Sequence, residues 1–251
     1  MSKRKKIIYA ISGLFLILLV VVASTIDTRE KNKVPFIEPS TIINEPIHDT
    51  EEPAPKIDGV NIKFIQDTYQ NTDIVGYLTI PNVMSYPIVQ AADNEYYLRR
   101  LLNGSYAIKG TPFMDYRTFF GDKKVLIYGH SGETDDFPFL PLHQYDNEAF
   151  FNEHSTIYLY SIDKIYIYKI ISSYIEASDY DYVNIQSFRG LTWLEHINKL
   201  KNKSQFQTDV KLTDDSKILV LQTCSMDSLY TSGKYRLVIG LLVKTEDNIY
   251  E

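Results

Sequence analysis

Apolar and polar residues along most of the chain follow the short alternating pattern of β-strands. Strand-like segments bounded by turn residues occupy 76–80, 87–90, 124–128, 156–160, 164–171, 217–223 and 235–243. Helical spacing is rarer and is confined to 61–72, 93–102 and 187–201, of which the last has the clearest apolar face. Many short strands with few helices predict a mainly β domain, either a closed barrel or a sandwich.

An uncharged apolar run occupies residues 7–26, directly after the basic residues Lys3, Arg4, Lys5 and Lys6. Twenty helical residues span roughly 30 Å, which is the thickness of the hydrocarbon core of a bilayer. Because basic residues stay on the cytoplasmic side, residues 1–26 predict a membrane anchor with its N-terminus in the cytoplasm. A cleaved signal peptide is the alternative, since residues 21–23 would serve as a cleavage site. The run is nevertheless longer than the usual ~7–15-residue signal core.

The composition changes over 27–58, which holds five of the ten prolines and a cluster of acids near its end. Such a segment cannot bury enough apolar surface to offset the entropy lost on ordering. We therefore predict an extended tether over 27–58, followed by a folded domain over 59–251. Both N-terminal alternatives place that domain outside the cytoplasm.

Composition and charge exclude several classes of protein. Hydrophobic residues make up 44% of the chain and charged residues 23%, as in an ordinary globular protein. The net charge is −6, and the basic tip carries +4, so residues 7–251 carry −10. A body this acidic predicts no nucleic-acid partner, because phosphate contacts need clustered cations. The sequence contains no metal-binding motif, and we predict no metal and no cofactor.

Cys224 is the only cysteine, so the chain cannot form an internal disulfide. It follows an apolar strand and precedes a polar loop, a position where proteins often display reactive groups. The alternative is a small buried residue, because free cysteines often pack in cores. A nucleophilic thiol also needs a base or cation nearby, since its unperturbed pKa of about 8.5 leaves little thiolate at neutral pH.

His130 is the strongest candidate for that base. It follows the predicted strand 124–128, and Gly129 allows the chain to turn sharply there. A structural histidine at a strand end is the alternative interpretation. The other histidines are predicted in the tether or on the surface, namely His48, His143, His154 and His196.

Arg236 is the third candidate, because it interrupts an apolar strand. If the last two strands form a hairpin, Arg236 lies almost opposite Cys224. A guanidinium beside a thiol can hold a substrate carbonyl and stabilise a developing oxyanion. A surface arginine on a strand is the alternative.

The sequence resembles the sortases, and most closely class B sortases. The resemblance rests on the order of the histidine, the cysteine and the arginine and on the residues that flank them. The motifs that carry the resemblance are Leu221-Gln222-Thr223-Cys224, Arg236-Leu237-Val238, Tyr128-Gly129-His130, 86–90 with Asp93-Asn94 and Tyr97-Leu98, and Gly110 with Phe113-Met114-Asp115-Tyr116-Arg117. The sequence departs from the class at Val220, where a threonine is usual. It departs again at Ser131-Gly132, where Asn-Met is common.

The resemblance implies an eight-stranded sortase-type β-barrel with added helices, in which 172–203 walls the substrate groove. It implies a cysteine transpeptidase of Gram-positive bacteria, in which Cys224, His130 and Arg236 are catalytic. Asn94, Leu98, Gln222 and Thr223 would line the peptide site.

The same resemblance implies two partners at the cell membrane. One is a secreted protein with a C-terminal sorting signal containing threonine, and the other is a peptidoglycan amine. The alternatives from the residues alone are a hydrolytic cysteine peptidase and a non-enzymatic surface β-domain.

Overall fold

A computed structural model describes residues 58–224 and 233–250. The predicted anchor and nearly all of the predicted tether therefore lie outside the described residues. Within the described ranges, no helix has the length and apolar character needed to cross a bilayer.

Eight strands close into one barrel, which confirms what the resemblance implied and decides between the barrel and the sandwich that the strand pattern left open. Their bounds are β1 Ile74–Ile80, β2 Met84–Val89, β3 Phe113–Met114, β4 Lys124–Tyr128, β5 Thr156–Tyr160, β6 Lys164–Glu176, β7 Ile218–Cys224 and β8 Tyr235–Asp247. Around the barrel the order is β1-β2-β3-β4-β7-β8-β6-β5, with β5 pairing back to β1. The pairs β2–β3 and β4–β7 are parallel and the others are antiparallel.

Among residues 58–224 and 233–250, three α-helices pack around the barrel: α1 Ile62–Tyr69, α2 Glu148–Glu153 and α3 Trp193–Asn202. The predicted helix over 93–102 is only a 3₁₀ turn, Tyr96–Arg99. Helix α3 begins six residues later than predicted, because Thr192 and Glu195 form a reciprocal capping box at its start. Two further 3₁₀ turns, Leu140–Asp146 and Asp181–Val183, were not predicted.

Alternation along the strands separates an inner from an outer apolar surface. On β7, Leu219 and Leu221 join a buried cluster to which all eight strands contribute, which is the barrel interior. Ile218 and Val220 face outward and pack beneath α3. Two-sided burial explains why β4 and β7 are nearly continuous apolar runs.

The segment 177–217 joins β6 to β7 and crosses the outer surface near the end of β7. Two basic side chains, one on β4 and one just after β3, hold its beginning. Lys124 Nζ donates to the carbonyl oxygens of Tyr182 and Asn184, at 3.2 and 2.5 Å. Arg117 Nη2 donates to the carbonyl of Val183, at 3.3 Å. These contacts fix the loop in place. The resemblance assigned this loop to 172–203, but β6 extends to Glu176, so the loop starts later.

His196 is fully buried, so its predicted surface position was wrong. Because α3 starts at Trp193, its buried face comprises Trp193, His196, Ile197 and Leu200. His196 Nε2 lies 2.6 Å from Lys124 Nζ. Burial, followed by this cation, lowers the pKa of His196 to about 3, so the ring is neutral and accepts the lysine hydrogen.

Asp115, directly after β3, connects several elements around the site. Its fully buried carboxylate accepts five hydrogen bonds, three from Arg117 and one each from Tyr128 and Asn94. Burial alone would raise the pKa of Asp115, but the bonds from Arg117 and Tyr128 outweigh it and hold the pKa below its ordinary value.

We expect Asp115→Asn to lower the free energy of unfolding by about 3 kcal/mol, because charge-assisted bonds are lost in a buried site. The unfolded aspartate titrates near pH 4, and the folded one titrates lower, so its contribution is present above pH 4 and disappears as the pH falls further. The free energy of unfolding, measured by denaturant melts between pH 3 and 7, should therefore depend more steeply on pH in the wild type than in the variant. Asp135→Asn, in an exposed loop, is the control; equal stability of both variants at pH 7 would contradict the assigned role.

Candidate active site

Parallel pairing of β4 with β7 brings His130 and Cys224 to the same end of the barrel. The register aligns Tyr128 with Gln222, and the N–H of Gly129 continues it by donating to the carbonyl of Gln222 at 3.1 Å. His130 and Cys224 each lie two residues beyond that aligned pair. The two residues are therefore neighbours at the end of the barrel, and both are half-buried.

Gly129 precedes His130 at a point of close packing, and the close packing is what requires glycine there. A Cβ atom at this position would lie 2.5 Å from the ring of Phe139, so only glycine fits. The N–H of Phe139 donates to the carbonyl of His130 at 2.9 Å, which fixes the chain after the strand.

The backbone carbonyl of Leu98 orients the His130 ring. His130 Nε2 lies 2.7 Å from that oxygen, and because a carbonyl only accepts, Nε2 carries the hydrogen. Burial lowers the pKa of His130, partly opposed by the Leu98 bond, so the ring is neutral near pH 7. Its free lone pair is therefore on Nδ1, which is the nitrogen able to exchange a proton with Cys224 or a leaving amine.

Arg236 pairs across the β7–β8 ladder with Thr223, while Cys224 pairs with Tyr235. The hairpin prediction was therefore correct to within one residue. Arg236 is only 4% exposed, which contradicts the surface-arginine alternative. Successive side chains on a strand point to opposite faces of the sheet. The side chain of Arg236 therefore projects on the inner side, and that of Cys224 projects on the outer side.

Two acceptors hold the Arg236 guanidinium. Nη1 donates to Gln205 Oε1 at 2.7 Å and to Ser173 Oγ at 3.3 Å. Nε is buried and has no acceptor within the described part of the chain. Burial lowers the pKa of Arg236, and Asp146 opposes this. The arginine thus retains one unused donor, on the inner side of the sheet.

Two tyrosines lie on the outer side with Cys224. Tyr182 and Tyr235 pack edge to face, with ring centroids 6.5 Å apart. Burial raises the pKa of both hydroxyls, and Cys224 lies close enough for its thiolate form to raise it further. The start of the 177–217 loop therefore lies beside the thiol.

The predicted peptide-site residues occupy different environments. Leu98 is 36% exposed and Gln222 is half-buried, so both are accessible near His130 and Cys224. Thr223 is fully buried beside Arg236. The Asn94 amide is engaged within the protein, since it donates to Asp115 and accepts from the N–H of Tyr116 at 3.0 Å in each case.

Two residues near Cys224 stand outside the predicted catalytic and peptide-site residues, although Ser131 belongs to the departure from class B that directly follows His130. Ser131 Oγ donates to the carbonyl of Cys224 at 2.8 Å, and His143 Nε2 lies 3.1 Å from the same hydroxyl. The predicted surface position of His143 was wrong, because the 3₁₀ turn Leu140–Asp146 packs Leu142 and Tyr145 into the barrel core and brings His143 inward. The apolar spacing of those two residues was the available signal.

No group of three or more His, Cys, Asp or Glu side chains within the described ranges could hold a metal ion.

Comparisons with known proteins identify the family. A family model for the sortase domain matches residues 78–241. Sortase B of Listeria monocytogenes is 33% identical over 177 residues, covering 69% of this chain and 71% of the relative.

Solved structures extend the comparison to the fold. A Staphylococcus aureus sortase B–substrate complex aligns with a TM-score of 0.63 at 23% identity, covering 73% of this chain and 92% of that one. A sortase B complexed with triglycine aligns with a TM-score of 0.65 at 25% identity, covering 74% and 87%. The chain therefore belongs to the sortase family of cysteine transpeptidases, among relatives of class B.

Proposed function

We propose that this sortase cleaves a C-terminal sorting signal after threonine in a secreted protein and joins the new end to a peptidoglycan amine. The observation that carries the proposal is the placement of His130 beside Cys224 at the ends of two paired parallel strands. The S. aureus neighbour solved with substrate and the sortase B solved with triglycine support a peptide donor and an amine acceptor.

The first half-reaction forms a thioester. Cys224 Sγ attacks the carbonyl carbon of threonine, and the thiol proton passes to His130 Nδ1. Collapse of the tetrahedral intermediate breaks the C–N bond, and His130 returns the proton to the leaving amine. The Leu98 carbonyl holds the ring in the required tautomer throughout.

The second half-reaction forms the new amide. The acceptor amine attacks the thioester carbonyl and loses a proton to His130, and the C–S bond breaks to release the sulfur, which recovers that proton. Because the enzyme returns to its starting state, no oxidant, metal or cofactor is consumed.

Arg236 is the oxyanion donor in both steps. Because its side chain projects on the inner side of the sheet in this structure, the guanidinium turns towards the reaction centre when the peptide binds and leaves its bonds to Gln205 and Ser173. Leu98 and Gln222 contact the peptide directly, whereas Asn94 and Thr223 support the residues that line the site and do not touch the peptide.

The N-terminal sequence supports a location at the cell membrane. Residues 1–26 form a single-pass anchor with its tip in the cytoplasm, 27–58 form the tether, and 59–251 form the extracellular catalytic domain. Both substrates lie outside the membrane, within reach of a tethered domain.

Product analysis tests the proposal. We expect a library of quenched peptides with threonine at the cleavage position to contain a substrate, and replacement of that threonine by alanine to abolish cleavage. Added hydroxylamine should convert the product from a free acid to a hydroxamate, because a strong amine captures the thioester. Release of free acid alone, at a rate unaffected by amine, would indicate a hydrolytic peptidase instead.

A further inference from the structure

A short chain of hydrogen bonds ends on the nucleophile's own backbone. Ser131 Oγ lies 2.8 Å from the carbonyl oxygen of Cys224, and His143 Nε2 lies 3.1 Å from Ser131 Oγ. We propose that Ser131 and His143 are positioning residues that hold Cys224 in register with His130. This inference rests on the proposed function, because it assumes that Cys224 is the nucleophile.

The donors and acceptors in this chain have one consistent arrangement. A serine hydroxyl has a single hydrogen, and the Cys224 carbonyl can only accept, so Ser131 donates to it. Ser131 Oγ must then accept from His143, which requires the hydrogen on Nε2. The chain therefore runs from His143 through Ser131 to Cys224.

The surroundings favour that tautomer. Burial lowers the pKa of His143, and the positive charge of Arg236 lowers it further, against opposing effects of Asp146 and the Cys224 carbonyl. A neutral ring keeps one N–H, and the contact with Ser131 places it on Nε2. Ser131 itself is 5% exposed, so water competes little for its hydroxyl.

The position of Ser131 in the chain gives the contact its function. Ser131 directly follows His130, and Cys224 is the last residue of β7. One hydrogen bond therefore ties the loop that carries the base to the strand end that carries the thiol. The carbonyl it holds belongs to the peptide plane after Cys224, so the bond fixes the Cys224 backbone and the direction of its Cα–Cβ bond. A misplacement of about 1 Å between reacting groups can cost around a hundredfold in rate.

Paired substitutions at Ser131 test the role of the hydroxyl. On the best-cleaved threonine peptide, we expect Ser131→Ala to lower kcat about ten- to a hundredfold with KM within about twofold. Ser131→Thr keeps the hydroxyl and should retain most of kcat. Ser172→Ala is the matched control, because Ser172 is also buried and donates to the Leu200 carbonyl at 3.1 Å, beneath α3. It should change the melting temperature as much as Ser131→Ala while leaving kcat near the wild-type value.

Substitutions at His143 test the second link. His143→Gln can place an amide N–H near the position of Nε2, whereas His143→Leu cannot. We expect His143→Leu to lower kcat and His143→Gln to retain most of the wild-type value. Because both residues act through one chain, Ser131→Ala with His143→Leu should be little worse than Ser131→Ala alone. If Ser131→Ala fails to fold, the His143 pair decides the outcome.

Three results would overturn the inference. They are equal kcat for the alanine and threonine variants of Ser131, an effect confined to KM, and multiplicative losses in the double variant. Cys224→Ala separates this from the broader proposal: turnover by that variant would refute the proposed function, whereas an inactive Cys224→Ala beside a fully active Ser131→Ala would refute only the positioning role.

Discussion

Replacing Cys224 with alanine should abolish peptide cleavage, by roughly a thousandfold or more, because it removes the only thiol in the chain. The fold should persist, since Cys224 is half-buried at a strand end and the loss of one sulfur leaves little cavity. Steady-state cleavage of the threonine peptide measures the effect, and circular dichroism checks the fold.

Alkylation of the wild type is the matched chemical control. Because the chain has one cysteine, one equivalent of iodoacetamide should inactivate it completely, and the alanine variant should take up no label. Residual turnover of the alanine variant above about one per cent of wild type would rule out a Cys224 mechanism.

Arg236→Lys should slow acylation about a hundred- to a thousandfold, which is the usual cost of losing an oxyanion donor. Lysine keeps the charge and can still reach Gln205, but it has no counterpart of the unpartnered Nε–H. Alkylation of Cys224 by a small reagent should survive, since that reaction develops no oxyanion. Single-turnover cleavage measured beside alkylation separates the two steps.

Arg189→Lys is the control for this substitution. The Arg189 side chain is 62% exposed and pairs with Asp181 in the 177–217 loop, so the exchange should leave acylation unchanged. If Arg236→Lys behaves like Arg189→Lys, the guanidinium merely supports the structure through Gln205 and Ser173.

The strands that build the barrel were predictable from alternation and apolar runs. The predicted bounds of β4 and β5 match the structure, and β1, β7 and β8 differ by a few residues. The strand β3 was missed, because a two-residue strand leaves too little sequence to show a period. The predicted helix over 93–102 failed for another reason: the backbone becomes extended at Arg100, which pairs with Tyr106 in an isolated bridge, so only one 3₁₀ turn forms before it.

The catalytic candidates were predictable because each follows or interrupts an apolar strand. His130 and Cys224 follow the apolar runs of β4 and β7, and parallel pairing then places them together. The environment of Arg236 was less predictable, since a one-residue difference in hairpin register moves a side chain to the other side of a sheet. The half-burial of His143 and the full burial of His196 depended on where a 3₁₀ turn and α3 begin, which alternation does not indicate.

Intact-protein mass spectrometry of the acyl-enzyme tests the central claim most directly. Wild-type protein mixed with the cleaved threonine peptide should gain the mass of the peptide's N-terminal fragment, and digestion should place it on Cys224. Hydroxylamine should remove the adduct and release an equal amount of hydroxamate, as expected for a thioester. Turnover without any adduct, or an adduct on another residue, would contradict the Cys224 thioester mechanism.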